Sequence, residues 1–156
     1  MNNASVERFR ASAAQLGMDI DVREFPEETR TALDAAEAIG CDIAQIVKSL
    51  VFIADDEPVL VLTSGANRVE EGALAEHLEA EVVRKADADE VRQATGYAIG
   101  GTPPFGHGEP LRVVCDADLT VFDEVWAAAG HPRTVFPLSA DDLLRVTAAS
   151  VTTVDR

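Results

Sequence analysis

The spacing of hydrophobic residues changes along the chain, and each spacing predicts one type of element. Val6, Phe9, Ala13 and Leu16 recur at three- or four-residue intervals ahead of Gly17, which predicts a helix from about residue 5 to residue 16. The same spacing, together with capping residues, predicts four further helices over 32–39, 69–78, 88–95 and 140–146.

Two hydrophobic runs rich in β-branched residues lie around a short acidic loop, at 48–53 and 59–62, and predict an antiparallel hairpin. Shorter runs predict strands at 20–25, 82–83, 111–115, 134–136 and 151–154, whereas 122–130 fits a strand or a helix. Because strands and helices do not alternate regularly, the order favours an α+β fold, with a mixed sheet, over a doubly wound one. No linker or repeat divides the sequence, so we expect a single domain over 1–156.

The segment from Gly96 to Pro110 contains five glycines and three prolines, which is unusual inside a compact domain. Adjacent glycines let the backbone approach a ligand closely, and prolines stiffen the loop, so its N–H groups could point at a carbonyl oxygen. The alternative is an ordinary turn-rich crossover. The segment has neither the Gly-Lys-Ser/Thr of a P-loop nor a G-x-G-x-x-G fingerprint.

Charge narrows the choice of partners. The chain has 156 residues, with 28 Asp and Glu against 13 Lys and Arg, a net charge of −15. Proteins that wrap DNA or lie on membranes normally present basic faces, so we expect neither partner here. Only Lys48 and Lys85 are lysines, and Lys48 starts the most hydrophobic strand. It could neutralise a phosphate, or simply extend its ammonium to the surface.

A second polar segment, Gly130 to Thr134, contains His131 and Arg133. His131 could donate to a substrate and Arg133 could bind a phosphate or carboxylate. The alternative is a turn before a strand, with Arg133 paired to an acidic side chain. Cys41 and Cys115 show no metal-binding spacing, so we expect buried, reduced thiols and no zinc. The first ten residues lack an apolar targeting segment, and the expected location is the cytoplasm.

Taken together, the motifs resemble the YbaK/prolyl-tRNA-synthetase-associated domain family. The resemblance rests on four segments in this order: Ile46–Val51, Gly96-Tyr97-x-x-Gly100-Gly101-x-x-Pro104-x-Gly106, Asp118-Leu119 and Asp141–Leu144. It implies a curved, barrel-like sheet flanked by helices. The implied activity is hydrolysis of the ester in mischarged tRNA, without a metal, a cofactor or a covalent intermediate.

The resemblance also implies roles for individual residues. Lys48 would lie near the phosphate of the 3′-terminal adenosine, and Gly100 with Gly101 would hold the aminoacyl carbonyl through the backbone. The implied substrate-binding residues are Tyr97, Thr102, Pro104, Gly106, His131 and Arg133. Implied partners are the CCA end of an aminoacyl-tRNA and a prolyl-tRNA synthetase.

The substrate implied is alanine or serine on tRNA-Pro. Cysteine-specific relatives carry lysines after the glycine loop, whereas His107-Gly108-Glu109 follows Gly106 here, and His131-Pro132 resembles the alanine- and serine-editing branches. Two other functions stay open: a catalytically silent module that binds a nucleotide, a tRNA end or a synthetase, and a metal- or serine-dependent hydrolase of small esters. The second has little support, because no Ser-His-Asp arrangement is evident.

Overall fold

The computed structural model describes residues 4–25 and 31–155. Residues 1–3, 26–30 and 156 belong to the domain expected over 1–156 but lie outside the described residues. The described part contains five helices, α1 (Ala4–Gln15), α2 (Ala32–Ile39), α3 (Glu71–Leu78), α4 (Ala88–Thr95) and α5 (Ala140–Thr147). Its eight strands are β1 (Arg23–Glu24), β2 (Ile46–Ala54), β3 (Glu57–Ser64), β4 (Val83–Lys85), β5 (Arg112–Asp116), β6 (Glu124–Ala127), β7 (Thr134–Ser139) and β8 (Ser150–Thr152).

Helix ends follow local chemistry, and most of the predicted bounds hold within two residues. The hydroxyl of Thr31 accepts the N–H of Asp34 at the start of α2, and Gly40 ends that helix in the left-handed conformation. Asp87 and Glu90 form a reciprocal capping box at the start of α4.

The strands form one mixed sheet in the order β1-β7-β6-β2-β3-β5-β8, with β4 paired to β2. The predicted hairpin is confirmed as the antiparallel pair β2–β3. On its other edge, β2 pairs with β6 at Ile46 and Val47 and with β4 from Phe52 to Ala54. Residues 48–50 therefore lie in a fork between β4 and β6, a feature that only the tertiary pairing reveals.

An aromatic cluster fixes the glycine-rich segment to the sheet. The ring of Phe105 lies 5.0 Å from that of Phe9 on α1 and 5.9 Å from that of Phe136 on β7. All three rings are buried in the largest hydrophobic cluster. Such contacts hold the loop against two elements at once, so its backbone is positioned by the core.

The α+β fold class with a mixed sheet is confirmed, and two local expectations change. The strand expected over 20–25 was too long: only Arg23 and Glu24 pair, with Val135 and Thr134. Ile20 and Val22 instead pack against the core as irregular chain. The ambiguous segment 122–130 contains a strand, β6.

Among the described residues, every helix is too short or too polar to span a lipid bilayer.

Candidate functional site

A cavity of about 540 Å³ opens in the fork of the sheet. One wall is β2 from Ile46 to Leu50, another is α2, and the glycine-rich segment closes a third side. Apolar groups dominate the wall between α2 and β6, including Ala35, Ile46, Trp126 and Val135. This volume and this mixture of apolar walls with few polar groups are typical of small-molecule sites.

Lys48 is half-buried at this cavity, and it does not extend freely into solvent. Its Nζ donates a hydrogen bond of 2.6 Å to the backbone carbonyl of Asn67, which follows β3. Burial lowers the pKa of the Lys48 ammonium, and the positive charges of Arg68 and Lys85 lower that pKa further. The carboxylate of Asp116 acts in the opposite direction.

Three cationic groups therefore lie together in a strongly acidic chain. Lys48 and Lys85, the two lysines of the sequence, both line the cavity. Neither Lys85 nor Arg68 forms an ion pair within the described residues. Arg84 is different, because its guanidinium makes two bonds of 2.7 and 2.8 Å to the carboxylate of Glu90. The local charge favours an anion at the mouth of the cavity.

The paired glycines have distinct roles. Gly100 has φ +84° and lines the cavity, and no bond of its N–H is found within the described chain. The N–H of Gly101 is already used, since it donates to the carbonyl of Ala98 at 3.0 Å. Thr102 also lines the cavity, and its hydroxyl donates to the same carbonyl at 3.1 Å. Of this pair, only Gly100 has an N–H without an acceptor in the part of the chain that the structure describes.

His131 and Arg133 lie beside the cavity, but Pro132 between them provides the lining. The Nδ1 atom of His131 accepts the backbone N–H of Arg133 at 3.0 Å, so a neutral ring carries its proton on Nε2. The guanidinium of Arg133 donates to the carbonyl of Phe25 at 3.2 Å. This bond ties the segment before β7 to the residue that follows β1.

Three of the predicted binding residues lie away from the cavity. Tyr97 and Gly106 line a separate cavity of about 270 Å³, where the guanidinium of Arg8 lies 4.4 Å from the centre of the Tyr97 ring. Pro104 and Gly106 line another of about 250 Å³. The structure therefore brings Lys48, Gly100 and Thr102 together and places Tyr97, Pro104 and Gly106 elsewhere in the loop.

Sequence reasoning did not select Trp126 or Arg68. Trp126, the one tryptophan of the sequence, falls in the segment 122–130 that fitted either a strand or a helix, and nothing local indicated that its ring would face α2.

The described lining contains no carboxylate, imidazole or thiol. Among the described residues, no three His, Cys, Asp or Glu side chains are grouped in a way that could hold a metal ion.

The two thiols differ in burial. Cys115 is fully buried, and burial raises the pKa of its thiol to about 12. The expectation of burial was wrong for Cys41, which is only partly covered. Burial and the nearby Asp42 raise the pKa of the Cys41 thiol.

Comparison with known proteins identifies related chains. The profile of the aminoacyl-tRNA editing domain family matches residues 26–146. A proline–tRNA ligase of Ligilactobacillus salivarius (strain UCC118) is 40% identical over 90 residues, which are 58% of this chain and 16% of the ligase. The chain thus aligns with less than a fifth of that synthetase.

Two further relatives align over most of their length. The uncharacterized protein YwhH of Bacillus subtilis (strain 168) is 28% identical over 89% of this chain and 88% of its own. A crystal structure described as a candidate trans-editing enzyme for prolyl-tRNA synthetase is 40% identical, with a TM-score of 0.94 over 100% of this chain and 99% of that one.

Proposed function

Because the chain belongs to the aminoacyl-tRNA editing domain family, we propose that it is a deacylase acting in trans on mischarged tRNA-Pro. The observation that carries the proposal is the union of three features in one cavity: the Lys48–Lys85 pair of cations, the available N–H of Gly100, and an apolar chamber. They match the phosphate, the ester carbonyl and the small side chain of an aminoacyl end. The likeness to the candidate trans-editing enzyme supports action in trans.

In this proposal, binding and positioning supply the catalysis. Lys48 binds the phosphate of the terminal adenosine, and the N–H of Gly100 stabilises the negative charge that develops on the carbonyl oxygen. Water attacks the ester, which needs no covalent intermediate on the protein. The described lining offers no carboxylate or imidazole, so activation of the water falls to groups of the bound substrate, held in a reactive geometry.

The amino acid removed is proposed to be alanine or serine. Synthetases separate substrates that differ by one methylene by only roughly 10- to 200-fold, so a second site that accepts small side chains improves fidelity. The apolar wall of Ala35, Ile46 and Val135 suits such side chains. In this proposal the Nε2–H of His131, a residue next to the lining residue Pro132, donates to an oxygen of the substrate.

Weak intrinsic affinity for tRNA is part of the proposal. The net charge of −15 opposes long-range attraction, but screening over ~8 Å at physiological salt lets a local cationic cluster bind one end. We expect the salt dependence of binding to correspond to about one to three phosphates. A prolyl-tRNA synthetase partner would supply the remaining tRNA affinity.

The test is release of labelled amino acid from Ala-, Ser-, Cys- and Pro-tRNA-Pro by the purified protein. We expect turnover of the alanyl or seryl ester, its loss in Lys48→Ala, and partial retention in Lys48→Arg. Arg112→Ala, which removes an exposed positive charge from β5, is the matched control and should retain activity. Absence of acceleration with every mischarged tRNA would refute the deacylase.

A binding module without catalysis is the second candidate, favoured by the lack of a carboxylate, imidazole or thiol in the described lining. It predicts that an aminoacylated acceptor-stem mimic binds in a Lys48-dependent way and is released unchanged. Turnover of the same mimic rejects it.

A further inference from the structure

The carbonyl group that accepts the hydrogen bond of Lys48 belongs to a separate segment of the chain, the turn from Ser64 to Asn67 at the end of β3. The N–H of Asn67 donates to the carbonyl of Ser64 at 2.9 Å, and the N–H of Gly65 donates to the carbonyl of Ile46 at 2.7 Å. The carbonyl of Asn67 then accepts the ammonium of Lys48. The position of this ammonium at the cavity therefore depends on how firmly the turn is fixed.

A fully buried carboxylate, that of Asp116 at the end of β5, fixes the turn. Its Oδ2 accepts the N–H of Ser64 at 3.0 Å and the side-chain amide of Asn67 at 2.9 Å. Its Oδ1 accepts the N–H of Asp118 at 3.0 Å, and the amide of Asn67 also donates to Asp118 at 2.8 Å. Only the NH₂ group of Asn67 can face two carboxylates, so the direction of these bonds is determined.

Charge adds a second link between Asp116 and Lys48. The charged groups that act on the ammonium are Arg68 beside the turn, Lys85 on β4 and Asp116 on β5. The first two and burial disfavour the charged form, and Asp116 alone among the three groups favours it. Removing the negative charge of Asp116 would therefore weaken both the position and the charge of Lys48.

We propose that Asp116 and Asn67 are positioning residues for Lys48, which hold its ammonium at the cavity through the turn 64–67. Neither residue lines the cavity, so each acts on a substrate only through Lys48. The inference deepens the proposed function, and its catalytic consequence rests on that function. A merely structural role for Asp116, as the cap of the short helical turn Ala117–Leu119, would leave the environment of Lys48 unchanged.

The test uses the full chain labelled with [ε-¹³C]lysine, because two lysines give two signals, assigned with Lys85→Arg. In Asp116→Asn we expect the pKa of Lys48 to fall. In Asn67→Ala, which keeps the backbone carbonyl, we expect the Lys48 signal to move towards that of exposed Lys85. In both variants kcat/KM for the aminoacyl ester that the wild type hydrolyses should fall roughly three- to tenfold, as expected for a lost hydrogen bond. Most of this fall should come from a higher KM.

Asp42→Asn is the matched control, because Asp42 caps the corresponding short helical turn Ile43–Gln45 in the same way. It should leave the Lys48 signal, its pKa and kcat/KM unchanged. An unchanged Lys48 signal and pKa in both test variants, even with a lower melting temperature, would overturn the proposal. If Asp116→Asn does not fold, Asn67→Ala decides. An inactive wild type would refute the deacylase, while the lysine spectra would still test the positioning.

Discussion

Gly101 lies against the backbone of His131 so closely that a Cβ on Gly101 would be 2.8 Å from the His131 Cα and 2.8 Å from the Cδ of Pro132. The absence of a side chain at Gly101 thus permits two loops of the protein to approach each other. It does not open the Gly101 amide to a ligand, since that N–H is bound to Ala98. The loop geometry around Gly100 depends on this contact.

Gly101→Ala should therefore destabilise the fold and disturb the site together. Since His131 and Pro132 contribute backbone and ring atoms that cannot rotate away, overpacking should lower the free energy of unfolding by about 1–3 kcal/mol. Gly108→Ala is the control, because a Cβ at Gly108 would have no heavy atom within 4 Å and the φ of Gly108 is not positive. Denaturant unfolding of both variants measures the difference, and equal stabilities would contradict the close approach.

How far the sequence predicts the molecule depends on the range of the interactions. The caps Thr31 and Asp87 were predictable because their bonds reach only three residues along the chain. Strand β6 was not, because its partners β2 and β7 decide the conformation. The length of β1 was overestimated for the same reason: the local alternation continues beyond the two residues that find partners on β7.

For the site, residue type indicated the candidates, but the hydrogen bonds and ion pairs of the folded protein decided which of them line the cavity. Lys48 and Gly100 were predicted and lie in one cavity. Arg84 and Lys85 are adjacent and equally basic in sequence, but Arg84 is bound to Glu90 and Lys85 lines the cavity. The bond from Arg133 to the carbonyl of Phe25 spans 108 residues, which no local pattern encodes.

The different surroundings of Arg84 and Lys85 predict that substituting them has unequal effects on tRNA binding. Lys85→Ala should weaken binding and reduce the salt slope by about 1, because one phosphate contact is lost. Arg84→Ala, the matched control, should leave the slope unchanged, because its guanidinium is held by Glu90. Affinities for an acceptor-stem mimic at four salt concentrations give both slopes, and equal slopes would contradict a phosphate contact at Lys85.

His107 predicts a pH dependence of stability. Its Nε2 donates to the carbonyl of Pro103 at 2.8 Å, and burial lowers the pKa of the ring below its ordinary value of 6.5. Below pH 6.5 the unfolded chain therefore takes up a proton that the folded protein resists. The contribution of His107 is fully present above this pH and is lost as the pH falls through the lower, folded-state pKa.

The free energy of unfolding should thus fall more steeply below pH 6.5 in the wild type than in His107→Gln. His77→Gln is the control, since the His77 ring contacts the hydroxyl of Ser150 and lies outside the glycine-rich loop. Denaturant unfolding at several pH values measures the slopes. Parallel curves for wild type and His107→Gln would show that the ring does not remain neutral in the folded loop.

The apolar chamber predicts a size limit, which helix α2 offers a way to test. Ala35 is buried and lines the cavity, whereas Ala38 on the same helix is exposed. Leucine at either position suits a helix, so Ala35→Leu and Ala38→Leu differ mainly in the space they fill. Since one methylene in a closed pocket changes kcat/KM roughly 10- to 200-fold, Ala35→Leu should lower deacylation of alanyl-tRNA-Pro at least tenfold. Ala38→Leu should retain it, and equal activities in two variants that melt cooperatively would show that this wall does not contact the aminoacyl group.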